Sequence, residues 1–159
     1  MKKAIFFLVG VSLWSGGCTP PVDMEAEVAN VKAVVDQFEQ FWETEDMELL
    51  SKIMANDASL NGFGSEASEI FKGWENFRSS AQQMLPAFEN TKINVRDQVI
   101  TVHPSGTMAW FSEQWDWDML YNGEAATVSD MRLTGVLEKR NGKWIIVQFH
   151  NSEPVRPAP

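Results

Sequence analysis

Cysteine occurs once in the 159 residues, at Cys18, so no disulfide can form within the chain. Histidine occurs twice, at His103 and His150, and neither stands at the spacing of an imidazole metal site, so no metal centre is expected. Basic residues are scarce: 13 Lys and Arg face 22 Asp and Glu, a formal charge of −9. That balance excludes nucleic acid, whose phosphates must be met by clustered Lys and Arg. It equally excludes charge-driven binding to an anionic lipid surface. There is no Gly-x-Ser-x-Gly elbow and no phosphate-cradling glycine loop, so neither a serine hydrolase nor a cofactor is indicated. After the first residues no apolar stretch is long enough to span a bilayer as a helix.

The N-terminus carries what the rest lacks. Lys2 and Lys3 precede an apolar run from Ala4 to Trp14, then the small residues Ser15, Gly16 and Gly17, then Cys18. This is the layout of a secretory signal peptide over residues 1–17. The cysteine directly after small residues resembles a lipoprotein signal, although Ser15 stands where leucine is usual. The expectation is an exported bacterial lipoprotein, lipidated at Cys18, facing the periplasm and touching the membrane through that anchor only. Residues 18–24 would form the anchor and tether, and residues 153–159, with three prolines, a disordered tail.

Between these ends the periodicity changes. Val28, Val31, Val35, Phe38 and Trp42 make one helical stripe over Asp23 to Thr44, with Asp23 as the N-cap. A second short helix is expected over Asp46 to Met54. A third carries Trp74, Phe77, Ala81, Met84 and Phe88, and Pro86 should bend or stop it. From about Lys92 the chain reads as strands: a β-branched run to Val102, then Thr107 to Leu120, Ala125 to Lys139 and Lys143 to Ser152. Asn141-Gly142 marks a hairpin. Helices followed by long antiparallel strands predict an α+β fold with helices on one face of a curved sheet. Seven Trp and ten Phe imply a large aromatic core, a lined cavity, or both.

Three segments together resemble the SnoaL-like branch of the nuclear transport factor 2-like superfamily. They are F-W-E-T-E-D-M-E-L-L from Phe41, A-N-D-A-S-L-N-G-F-G from Ala55, and G-K-W-I-I-V-Q-F-H-N-S from Gly142. The last is also similar to the end of the calmodulin-dependent kinase II association domain. The resemblance spans residues 25–152 and implies a cone: a curved antiparallel sheet wrapped around N-terminal helices, with a pocket inside. Isomerases, cyclases, dehydratases and assembly domains share that fold, so fold alone does not assign activity. In ketosteroid isomerases a segment similar to Asn56–Leu60 leads into a catalytic aspartate. Here Asn61, Gly62 and Phe63 follow, so that proton-shuttling base is missing.

Five residues are candidates for the pocket: Trp110, Trp115, Arg132, His150 and Asp57. In Trp115-Asp116-Trp117-Asp118, strand alternation puts both indoles on one face and both carboxylates on the other. The indoles would then form either a ligand wall or plain core. Asp57 would hold a turn after the second helix or act on a ligand. Arg132, within an apolar strand, would serve an anion or carbonyl inside the cone, or point outward. Its neighbour depends on the last hairpin. A two-residue turn at Asn141-Gly142 sets Arg132 opposite Asn151. A bulged three-residue loop, the favoured form, sets it opposite His150 in a polar row with Gln148 and Ser152. The resulting expectation is a domain binding a small, largely apolar molecule. An acid–base enzyme using the same pocket, or a dimerisation module, are the alternatives, and a homodimer through the sheet face is expected on the resemblance.

Overall fold

A computed structural model describes residues 22–155. The expected signal peptide, Cys18 and most of the tether lie outside the described residues, as do residues 156–159.

The first helix, α1, spans Met24–Thr44. Asp23 caps it by accepting from the Ala26 N–H at 3.1 Å, and Glu25 and Glu27 sit in the first turn, where the helix dipole favours acids. Val31, Val35, Phe38 and Phe41 face inward. The helix ends where Glu45 turns left-handed, at φ 57°. Asp46 immediately caps α2, Met47–Ile53, through the N–H groups of Glu48 and Leu49.

Two short strands follow, β1 (Asn61–Phe63) and β2 (Ile70–Lys72), then α3 (Trp74–Met84). Pro86 converts the end of α3 into a 3-10 turn at Leu85–Ala87. Phe88 therefore opens a strand and does not close a helix. The long strands are β3 (Phe88–Val102), β4 (Met108–Tyr121), β5 (Glu124–Arg140) and β6 (Lys143–Ser152).

The six strands form one open sheet in the order β2-β1-β6-β5-β4-β3. The fold is α+β as expected, but the sheet is mixed, because β1 runs parallel to β6. Sheet curvature comes from extra residues in the ladder. In β3 the register slips near Asn90 and Asp97, and in β5 near Asp130, and all three residues adopt positive φ. In β6 the slip falls at Val147, so Ile146 and Val147 are both buried. The concave face closes over α1, which packs against β3 and β6, while α3 covers β2. Glu43 on α1 accepts the Ile93 N–H at 2.9 Å, and Glu27 accepts from the Trp144 indole at 2.7 Å and pairs with Lys139. These contacts tie the helix to both sides of the sheet. Val22, at the start, packs against Gly106 in the β3–β4 turn.

The last hairpin differs from the favoured reading. Arg140 pairs with Lys143 across a two-residue turn, with Asn141 at φ 51° and Gly142 at φ 78°. Both residue types tolerate left-handed backbone, so the turn closes without an extra residue. The extra residue is absorbed instead at Val147. Beyond it Arg132 pairs with Ser152 and Thr134 with His150.

Candidate functional site

The concave face and the helices leave a cavity of about 120 Å³. Its walls are aromatic. Phe38 and Trp42 come from α1, Phe77 from α3, Trp115 and Trp117 from β4, and Phe149 from β6. Met119, Val128, Met131 and Leu133 add aliphatic and thioether surface to the lining. The rings pack against one another, with Phe38 and Trp115 centroids 5.9 Å apart and Trp42 and Trp117 5.4 Å apart. Strand alternation explains why both β4 indoles point in. The β5 slip explains why Val128 and Met131, an odd step apart, also do.

Polar groups are few. The Trp117 Nε1 and the Asn151 Oδ1 are buried and have no hydrogen-bond partner, and both residues line the cavity. A buried donor and acceptor left unpaired each cost about 1–3 kcal/mol, so a native cavity holding both is suited to an occupant that satisfies them. At the mouth lie Gly64, Ser65, Glu69 and Glu153. Glu69 folds over Gly64, and its Oε2 accepts the Glu66 N–H at 3.0 Å.

Behind the Trp115 wall lies a second polar group. Glu113 is 4% exposed, accepts the Trp115 indole N–H at 2.8 Å, and accepts from Gln98 Nε2 at 2.8 Å. Gln98 also reaches Asp36 on α1, at 3.1 Å. Burial pushes the Glu113 carboxyl up to about 7; its two hydrogen bonds oppose this, and the nearby charges of Glu39 and Asp36 add to it. Burial also raises Glu39, with Glu43 and Asp36 contributing.

Of the five expected pocket residues, only Trp115 lines the cavity. Trp110 is 47% exposed on the convex face, between Thr101 and Val136, because it alternates with the inward Ala109 and Phe111. Arg132 and His150 are exposed on the same convex face. They stand diagonally across β5 and β6, not opposite each other, and no hydrogen bond joins them. They share that face with Gln148 and Ser152, but the direct pairing expected from a bulged turn is absent. His150 instead meets Phe63 edge-on at 5.8 Å. Asp57 is exposed and holds a turn: it accepts the Ser59 N–H at 2.7 Å and pairs with Arg140 at 2.8 Å. The Ser59 hydrogen bonds, with help from Arg140, hold its carboxyl below the usual range. Asp116 also points outward, and the Arg96 guanidinium holds it down at about 2.

Gly62 shows why the isomerase base has no place here. A Cβ on Gly62 would overlap the Phe149 ring, so this ring occupies the space a side chain at that position would need. Trp117 entered the sequence reading only as the second indole of a possible ligand wall, and Asn151, Glu69 and Glu113 were not singled out as sites. Strand alternation from Trp115 reaches Trp117 and Glu113; nothing local marks the other two.

An open, curved α+β sheet enclosing an apolar cavity is the architecture of the nuclear transport factor 2-like proteins. The SnoaL-like domain family matches residues 31–156, and the chain belongs to that family. Solved structures agree on the fold. A nuclear transport factor 2-like superfamily protein from Salmonella enterica serovar Typhimurium is 16% identical, with TM-score 0.73, covering 84% of this chain and 95% of its own. A protein from Novosphingobium aromaticivorans, provisionally assigned as a scytalone dehydratase, is 12% identical, with TM-score 0.72 and coverage of 82% and 86%. A provisionally assigned calcium/calmodulin-dependent protein kinase II association domain from Xanthomonas campestris is 20% identical, with TM-score 0.69 and coverage of 87% and 97%. No curated protein matches the chain in sequence.

Proposed function

We propose that this SnoaL-like domain binds a small, largely apolar molecule in its cone. We further propose that it does so as an exported lipoprotein, the compartment resting on the N-terminal sequence up to Cys18. One observation carries the binding reading: an aromatic cavity of about 120 Å³ in which Trp117 Nε1 and Asn151 Oδ1 have no partner. A few convergent polar groups in a concave apolar site are the usual form of a ligand pocket. An engineered apolar cavity of roughly 150 Å³ holds benzene, so one ring sets the size scale here.

The test is titration of the full chain with benzyl alcohol, followed by indole fluorescence, since Trp42, Trp115 and Trp117 line the cavity. Saturable quenching is expected, and Val128→Phe should abolish it. Val128 is half-buried, so a larger ring can enter the cavity from its edge without displacing the core. Quenching that is linear, or that persists in Val128→Phe, would remove the binding reading.

A second reading, assembly, is favoured by the convex face. Val99 is 58% exposed and Trp110 47%, with Val136 next to Trp110 across the ladder. We propose a homodimer through this face, compatible with a ligand inside the cone.

A further inference from the structure

We propose that the cavity selects an organic cation, a protonated amine carried on a ring-sized apolar body, with the ammonium held at the mouth by Glu69. This rests on the ligand-pocket reading above and narrows it to one charge class.

Among the described residues the lining contains no Lys, Arg or His, and its charged members there are Glu69 and Glu153. A carboxylate or phosphate entering this space would lose its water and meet no counter-charge, which is prohibitive for a buried ion. Hydrogen-bond capacity has the same bias. Asn151 Oδ1, Glu69 and Glu153 offer acceptors, and the Trp117 indole N–H is the buried donor without a partner. An ammonium supplies the N–H groups those acceptors lack. The Trp117 N–H then suits an oxygen acceptor on the ligand body.

The walls also suit a cation. Indole and phenyl faces attract ammonium groups, tryptophan most strongly, and more so once water is excluded. Three indoles and several phenyl rings surround the space. Glu69 is half-buried at the mouth and its carboxylate is held in place. Its carboxylate lies against Gly64, where a Cβ would overlap it, and it accepts the Glu66 N–H at 3.0 Å. Among the described residues no Lys or Arg forms an ion pair with it. The acidic balance of the chain, −9 overall, would raise the local concentration of cations and repel anions.

The experiment compares three single-ring probes on the full chain by calorimetry: benzylamine at a pH where it is protonated, benzyl alcohol and benzoate. Benzylamine is expected to bind about ten-fold or more tightly than benzyl alcohol, and benzoate not to bind. Glu69→Gln should erase the preference for the amine over the alcohol, with its urea-unfolding midpoint reporting that the variant is folded. Gly64→Ala, which displaces the Glu69 carboxylate, should act in the same direction. Equal binding of amine and alcohol by the unaltered chain overturns the cation inference and leaves the apolar pocket standing. A preference that survives both variants overturns the role of Glu69. No binding of any probe overturns both this inference and the pocket reading.

Discussion

Trp115 donates its indole N–H to Glu113, two positions back on the same strand, at 2.8 Å. Both side chains point into the concave face, so one wall of the cavity is fixed by a buried carboxyl group. Gln98 bonds to the other oxygen of that group and links it to Asp36 on α1.

Glu113 makes the fold sensitive to pH in a stated direction. Its folded-state value near 7 stands above the ordinary 4.5, so folding favours the protonated form. That stabilisation is complete below about pH 4.5 and is lost as pH rises through 7. The expected loss between about pH 5 and pH 8 is on the order of 3 kcal/mol, measured by urea unfolding. Glu113→Gln should flatten this dependence. The Gln98 amide must turn over to meet the new donor, which adds a constant offset but no slope. An unchanged slope in the variant would exclude Glu113 as its source.

Gly62→Ala should destabilise the domain by about 1–3 kcal/mol, because the new Cβ overlaps the Phe149 ring and overpacks the core. In a Phe149→Ala background the same change should cost much less, since the ring is gone. A double-mutant cycle by chemical unfolding measures the coupling. Additive effects would mean that the two groups do not meet.

The convex face should dimerise. Sedimentation at micromolar concentration is expected to show a dimer, and Trp110→Glu a monomer of unchanged secondary structure. A concentration-independent monomer in the unaltered protein would end the assembly reading.

Cys18 should be acylated in cells. Labelling with a fatty-acid analogue is expected in the full chain and not in Cys18→Ala. Equal labelling of both, or of neither, contradicts the anchor.

Much of the fold was legible because its signals are local. Asp23 is a cap written in the sequence, Pro86 stops a helix wherever it falls, and Asn141-Gly142 can close a hairpin alone. The site was less legible because it depends on which face of each long strand turns inward. Each extra residue in the ladder exchanges the faces downstream. Near Asp130 the exchange puts Val128 and Met131 on one side and leaves Arg132 outside. At Val147 it turns Asn151 into the cavity and His150 away from it. The bulge residues Asn90, Asp97 and Asp130 leave only a faint trace, since Asn and Asp tolerate left-handed backbone in many settings. The parallel pairing of β1 with β6 was hidden because it joins segments distant in the chain.

The contact of Val22 with Gly106 gives the domain a front and a back. The turn that Val22 touches lies at the start of β4, whereas the cavity residues Trp115, Trp117 and Met119 lie toward its far end. From Met108 to Met119 is roughly 35 Å of strand. A leash attached upstream of Val22 would thus pull on the end of the sheet remote from the opening. Fastened to a bilayer by Cys18, the domain would hang with its opening toward the aqueous space. On that arrangement a ligand of the proposed kind would reach the opening through water and not from the lipid.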